Sequence, residues 1–279
     1  MLKDKIKAII YSTYHLLEVK IMNIGFIGAG NMGSAVAKAV SDAGHKCLIY
    51  DRHPDKTERV ATLCKGEIAT LEEIQNNASF IFLGIKPQGL EASKGELCPY
   101  FKGKIVISML AGKKICDVKE ALGTRVIRIM PNTPVFCNEG VVLYSIGDDI
   151  SSDEEATFCD FMSKCGMLSR IDEDKIDAAT AISGCGPAFV YTFMSAMAEG
   201  GVECGIPYET ALEYAAQTLI GSAKNLLARK EDPEKLTRDV CSKGGSTIEG
   251  VKHLQNNDFN AIVSGAIKAS YKRTQELGK

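Results

Sequence analysis

Two glycine-led stretches in this 279-residue chain carry residue types suited to binding anions. The first, "GAGNMG", places Gly28, Gly30 and Gly33 in a G-x-G-x-x-G spacing, after an apolar strand-like run and at the opening of a helical pattern. Glycines so placed permit a tight turn, close backbone approach to a pyrophosphate and close packing of helix on strand. The helix N-terminus adds unpartnered N–H groups and a positive partial charge. Asp51, at the end of the next apolar run, stands where a carboxylate hydrogen-bonds ribose hydroxyls. Arg52 beside it suits a 2′-phosphate that Asp51 would repel, so the pair leaves NADH and NADPH both open. The second stretch, "VCSKGGSTIEG" (Val240 to Gly250), sets Gly244 and Gly245 ahead of Ser246 and Thr247, where a helix begins. Read locally, it fits either a second anion site or an ordinary Ser/Thr helix cap.

Further candidates gather at one sheet edge. Ligands of open α/β sheets bind beyond the carboxyl ends of the strands. Ile85, Lys86 and Pro87 follow the third apolar run, and Met109, Leu110, Ala111 and Gly112 follow the next. Asn132 in "RIMPNTP" offers an amide to the same edge. No Ser–His–Asp arrangement is present. Ten cysteines without a CxxC spacing and four histidines predict no metal site. The cysteines read as reduced thiols of a cytoplasmic protein. A net charge of -2 gives no basis for a nucleic-acid or membrane partner, and no apolar run is read as approaching the ~20 residues that span a bilayer.

The elements that must position these residues follow from periodicity. Strand-length apolar runs occur at Asn23–Ile27, Lys46–Tyr50, Phe80–Gly84, Ile105–Met109 and Val126–Met130. Helical patterns lie between them at Met32–Ala43, Asp55–Lys65, Leu90–Phe101 and Ile115–Leu122. This alternation predicts an α/β Rossmann-type domain with a parallel sheet covered on both faces. Val141–Ser145 and Met167–Ile171 read as further strands around a helix at Asp153–Cys165. After about Asp172 only helical patterns continue, so residues 22–171 are expected to form the dinucleotide-binding domain and 172–279 an all-helical domain. Within the latter, Pro187–Glu199 is apolar nearly all round, which predicts burial on every side. A stripe of Leu212, Ala216, Leu219, Ala223 and Leu226 has helical spacing. Residues 1–21 precede a complete first strand and are expected to be a dispensable extension, with an amphipathic helix as the alternative.

Five motifs in order, "GFIGAGNMG", "IKP", "MPNTP", "SGCGPAF" and "CSKGGSTIEG", resemble those of the pyrroline-5-carboxylate reductase family from Met22 to Lys279. The resemblance implies reduction of the cyclic imine Δ1-pyrroline-5-carboxylate to proline by NADPH or NADH. It implies cofactor contacts at the glycine loop (Gly28, Gly30, Asn31, Met32 and Gly33), at Ile85–Pro87 and at Met109–Ala111. Substrate contacts would fall at Ser242, Gly245, Ser246 and Thr247, with Glu173 near the site and Thr247 as the candidate catalytic residue. It further implies a homodimer through interlocked helical domains, which many members assemble into decamers. Lys243, where proline is usual, and Cys185, where serine is common, depart from the family pattern. Two rivals remain: a β-hydroxyacid dehydrogenase, which uses a lysine on an interior helix that Pro187–Glu199 lacks, and a non-catalytic nucleotide sensor.

Overall fold

The computed structural model describes residues 21–277; the extension 1–21 falls almost wholly outside them. The chain divides into two compact units, one running through Ala179 and the other spanning Thr180–Glu276.

The first unit is an eight-stranded sheet in the order β3-β2-β1-β4-β5-β6-β7-β8. Its strands are β1 (Asn23–Ile27), β2 (Lys46–Tyr50), β3 (Glu67–Ile68), β4 (Phe80–Leu83), β5 (Ile105–Ser108), β6 (Arg125–Pro131), β7 (Gly140–Ile146) and β8 (Gly166–Arg170). Helices α1 (Asn31–Asp42), α2 (Pro54–Cys64), α3 (Leu71–Asn77), α4 (Leu90–Phe101), α5 (Ile115–Leu122) and α6 (Ser152–Phe161) connect them. Side chains alternate to opposite faces of a strand, so each central strand feeds two cores. Ile24 and Phe26 of β1 enter one cluster with Phe82 and Ile107, and Ile27 enters the other with Ile81, Leu83 and Val106.

Most elements stand where periodicity places them, and three differences have physical causes. The pair β6–β7 is antiparallel, although the alternating pattern predicts a parallel sheet. Only the residues 132–139 separate the two strands, too few for a crossover helix, so a hairpin is the only short connection. The element α3 and its small strand β3 lack a strong apolar period. The signal for α3 is instead its cap: Glu73 N donates to Thr70 Oγ1 at 3.2 Å and Thr70 N to Glu73 Oε2 at 2.8 Å, the reciprocal T-x-x-E box. The helix α6 ends at Phe161 rather than Cys165, because the chain must turn into Gly166. That residue has φ +108°, and a Cβ there would collide with the Gly140 backbone.

The second unit contains, from its start, the C-terminal half of α7 (Ile176–Ser183), then α8 (Gly186–Glu203), α9 (Tyr208–Arg229), α10 (Pro233–Val240), α11 (Ser246–Asn256) and most of α12 (Phe259–Leu277). Here one expectation fails. Within the chain α8 is not enclosed: Ala198 alone is fully buried, while Val190, Tyr191, Met197 and Val202 are exposed. The α9 stripe also lies partly open, with Ala211 and Ala215 taking the most buried positions instead. A related correction concerns membranes. The helical stretch Glu173–Glu203 contains a window of mean hydropathy 1.2, apolar and long enough by composition to cross a bilayer. The run was missed because polar Ser183 and a break at Gly184–Cys185 interrupt it.

Candidate active site

The glycine loop is shaped by contacts that only hydrogen side chains allow. Gly28 has φ +106°, donates its N–H to Tyr50 O at 2.9 Å, and would press a Cβ to within 2.6 Å of Gly84 O. A Cβ on Gly33 would meet Gly28 O at 2.6 Å, so the first turn of α1 lies directly on the loop. Gly30 differs: nothing lies within 4 Å of its hypothetical Cβ. It occupies the N-cap of α1 without a side-chain hydrogen bond to the helix. Two glycines therefore seat the loop, and the third leaves the helix N-terminus approachable. This cradle fits a dinucleotide pyrophosphate.

Asp51 does more than face a ribose. Its Oδ2 accepts Ala29 N at 2.8 Å and its Oδ1 accepts His53 N at 2.9 Å, which ties the glycine loop to the end of β2. Each oxygen retains a further lone pair for a hydroxyl. Gly28, Gly30, Asp51, Arg52, Ile85 and Lys86 all line one cleft of about 530 Å³. Lys86 is exposed; its carbonyl accepts Gly89 N at 2.8 Å, and its side chain makes no hydrogen bond among the described residues. The Met109 methyl approaches the hypothetical Cβ positions of Gly84 and Gly33 at 3.0 and 4.0 Å, which sets it at the floor of the loop.

Other predicted residues lie elsewhere. Pro87 opens a 3-10 turn and lies outside that cleft. Asn31 and Met32 contribute N–H groups to the first turn of α1, but their side chains line a separate groove of about 540 Å³ with Thr133 and Phe136. Leu110 is wholly buried in the core below, its N donating to Ser108 Oγ at 3.4 Å and its O accepting Lys113 N at 3.3 Å. Ala111 is exposed. Asn132 Oδ1 accepts Val141 N at 2.8 Å, holding the start of the β6–β7 hairpin.

Glu173 lies in the first unit, away from the glycine loop. Its Oε1 accepts Ile115 N at 2.7 Å, a carboxylate at the N-terminus of α5, where the helix dipole favours it. The same oxygen accepts Arg128 Nη1 at 3.4 Å, and Arg128 Nη2 donates to Asp177 Oδ1 at 2.8 Å. Arg128 is only 2% exposed, so this bridge is the residue's main compensation for burial. Sequence reasoning passed over Arg128, although a cation inside the apolar strand "VIRIM" was a visible signal. Glu173 also borders a larger cleft, about 1010 Å³, together with Lys119 and Arg170. Volume does not locate the chemistry here, since Lys119 is paired with Asp149 and Arg170 with Glu155.

The second glycine loop lies in the helical unit. Gly244 has φ +74°, and Gly245 N donates to Ser242 O at 3.1 Å. A Cβ on Gly245 would collide with Ser242 Oγ. Gly245 is the N-cap of α11 and, like Gly30, supplies no side-chain cap. By contrast Thr70, Ser151 and Asp232 cap α3, α6 and α10 with their own oxygens. Thr247 is exposed, and its hydroxyl makes no hydrogen bond among the described residues. Thr192, Thr218, Thr237 and Thr274 in the same unit each return their hydroxyl to the carbonyl four residues back. Thr247 stands in the first turn, where no such carbonyl exists. Its N–H and hydroxyl are thus both available to a ligand. No group of three or more His, Cys, Asp or Glu suited to a metal occurs among the described residues.

Comparison with known proteins bears on both units. The family model for pyrroline-5-carboxylate reductase dimerisation matches residues 173–277. One described as NADP oxidoreductase, coenzyme F420-dependent, matches residues 23–112. Pyrroline-5-carboxylate reductase of Arabidopsis thaliana is 33% identical, covering 94% of this chain and 98% of its own length. Pyrroline-5-carboxylate reductase 3 of Danio rerio is 36% identical, covering 94% and 93%. The crystal structure of the Plasmodium falciparum pyrroline carboxylate reductase with NADP bound superposes with a TM-score of 0.83 at 29% identity, covering 92% of this chain and 100% of that one. With an NAD(P)-binding cradle at one end, an uncapped glycine-led helix at the other and full-length relatives at this identity, the chain belongs to the pyrroline-5-carboxylate reductase family.

Proposed function

We propose that this chain reduces Δ1-pyrroline-5-carboxylate to L-proline with NADPH or NADH, the final step of proline biosynthesis. Beyond family membership, the observation that carries the reading is the Ser242–Thr247 loop: a helix N-terminus without a side-chain cap, approached through glycines, with a free hydroxyl beside it. A chain that already holds a pyrophosphate cradle at Gly28–Gly33 has no need of a second one, and a substrate carboxylate is the anion that fits.

When bound, the cofactor supplies the hydride that the C=N carbon accepts, and a proton completes the ring nitrogen as an amine. The protein's part is to hold and orient. The Gly28–Gly33 loop and Asp51 seat the dinucleotide, with Ile85 and Lys86 along the same cleft and Met109 beneath the loop. The N–H groups of Ser246 and Thr247 receive the substrate carboxylate in charge-assisted hydrogen bonds strengthened by the helix dipole. The Thr247 hydroxyl orients the imine nitrogen. Positioning of this kind accounts for large rate gains without a nucleophile or a metal.

The chain carries the family's dimerisation region. The working unit is a homodimer through the helical unit, with a decamer of such dimers as the larger assembly. A partner subunit covering α8 accounts for its exposed apolar face and for the bilayer-like hydropathy of Glu173–Glu203. All ten cysteines are free thiols, which fits the reducing cytoplasm. Oxidation of reduced nicotinamide that depends on the cyclic imine, with proline as product, tests the reading. Turnover of β-hydroxyacids in its place would support the dehydrogenase rival, and cofactor binding with no turnover would support a sensor.

A further inference from the structure

We infer that Glu96 sets how the enzyme discriminates NADPH from NADH, by competing with the cofactor's 2′-phosphate for Arg52. The inference rests on the reading of the 530 Å³ cleft as the dinucleotide site.

Three observations carry it. Arg52 Nη2 donates both to Glu96 Oε2 at 2.8 Å and to Ser93 Oγ at 3.1 Å. These two acceptors stand three residues apart on α4, on one face of the helix, and Ser93 is buried, so the guanidinium is moored to the helix rather than loose in solvent. Arg52, His53, Lys56, Ser93 and Glu96 line the same cleft as Asp51. Finally, both Asp51 oxygens already accept backbone N–H groups of Ala29 and His53, which makes that carboxylate part of the loop's scaffold. Glu96 has no such duty. Among the described residues its charge pairs with Arg52 only.

A ribose 2′-hydroxyl is neutral and can donate to a carboxylate. A 2′-phosphate is close to a dianion at neutral pH. To pair with Arg52 it must share or displace Glu96 and lie beside that negative charge. Arg52 and Glu96 are 61% and 45% exposed, and an ion pair this open is weak enough to be displaced. Glu96 therefore biases the choice without forbidding NADPH.

The test is binding of NADPH, NADH and 2′,5′-ADP, by fluorescence or calorimetric titration, to the full chain and to the variants E96Q, R52A and the double variant. E96Q should tighten NADPH and 2′,5′-ADP by about twofold to fivefold and leave NADH nearly unchanged, a range set by the strength of exposed ion pairs. In the R52A background the same change should have less than half that effect on a logarithmic scale, because the competition has lost its object. Weaker NADPH binding by E96Q would overturn the inference and make Glu96 a residue that holds Arg52 ready for phosphate. Equal shifts for NADPH and NADH, or none, would overturn it as well. Because the readout is binding, a chain that binds both cofactors but never reduces the imine contradicts the proposed reaction while leaving this inference standing. A chain that binds neither contradicts both.

Discussion

The two units of this chain solve the burial problem differently. In the first, apolar strands are enclosed by helices of the same chain, and Phe26, Phe82, Phe101, Phe158 and Phe161 are all buried within it. Among the described residues of the second, the only fully buried hydrophobic side chains are four alanines: Ala181, Ala198, Ala211 and Ala215. Fifteen of its large hydrophobic residues are exposed, against five described in the longer first unit. Exposed apolar side chains in that number mark a surface suited to covering by another chain. The first unit completes its own core, whereas the second, which matches the family's dimerisation model, leaves its apolar side chains open within the chain.

The comparison also separates the two proposed anion sites. The Gly28 loop rests on its own unit's sheet, fixed by Gly84 and Asp51. The Ser242–Thr247 loop opens a helix in the unit that matches the dimerisation model. Cofactor binding should thus survive insults that abolish turnover.

The largest expected effect comes from charging the second unit's open face. Tyr191→Asp with Ile262→Asp, at positions 58% and 64% exposed, should yield a monomer by light scattering and cut turnover by at least about a hundredfold, while cofactor still binds. The matched change Ile68→Asp with Met167→Asp, at similarly exposed positions of the first unit, should leave assembly and turnover nearly intact. Equal damage from both pairs would erase the distinction between the units. Next in size is Gly28→Ala. Its Cβ would face the Gly84 carbonyl at 2.6 Å from a backbone at φ +106°, a conformation that costs about 1–3 kcal/mol for a residue with a side chain. Cofactor affinity should fall by more than tenfold and the melting temperature should drop, with the dimer retained. Smallest is removal of residues 1–21. Sheet pairing among the described residues starts at Met22, whose O accepts Lys46 N at 2.9 Å and whose N donates to His45 Nδ1 at 3.4 Å. A chain beginning at Met22 should keep its stability and activity, and a large loss of either would give the extension a role.

Much of this was legible beforehand, for identifiable reasons. The strands β1 and β2 and the helices α4 and α5 fall at their expected bounds because both apolar period and flanking polar residues marked them. The glycine loop was readable because close packing leaves no alternative residue at Gly28 and Gly33. The exposure of α8 was not, since a face buried against a partner and a face buried within the chain have the same composition. Arg128 itself stood out within an apolar strand, but its bridge to Glu173 was hidden for another reason. The partners are far apart in sequence, and only the β6 register and the turn before α7 bring them together. The second carboxylate at Arg52 likewise appears only when α4 folds over the cleft.

The measurement that bears most directly on the account is the kinetics of Thr247→Ala in the dimeric protein. The account predicts a fall in kcat/KM for the imine of at least tenfold, ~1.4 kcal/mol of transition-state stabilisation, with the Kd for NADPH and NADH unchanged. Weakened cofactor binding alongside intact imine kinetics would contradict it, and would mean that the Ser242–Thr247 loop is not the substrate's site.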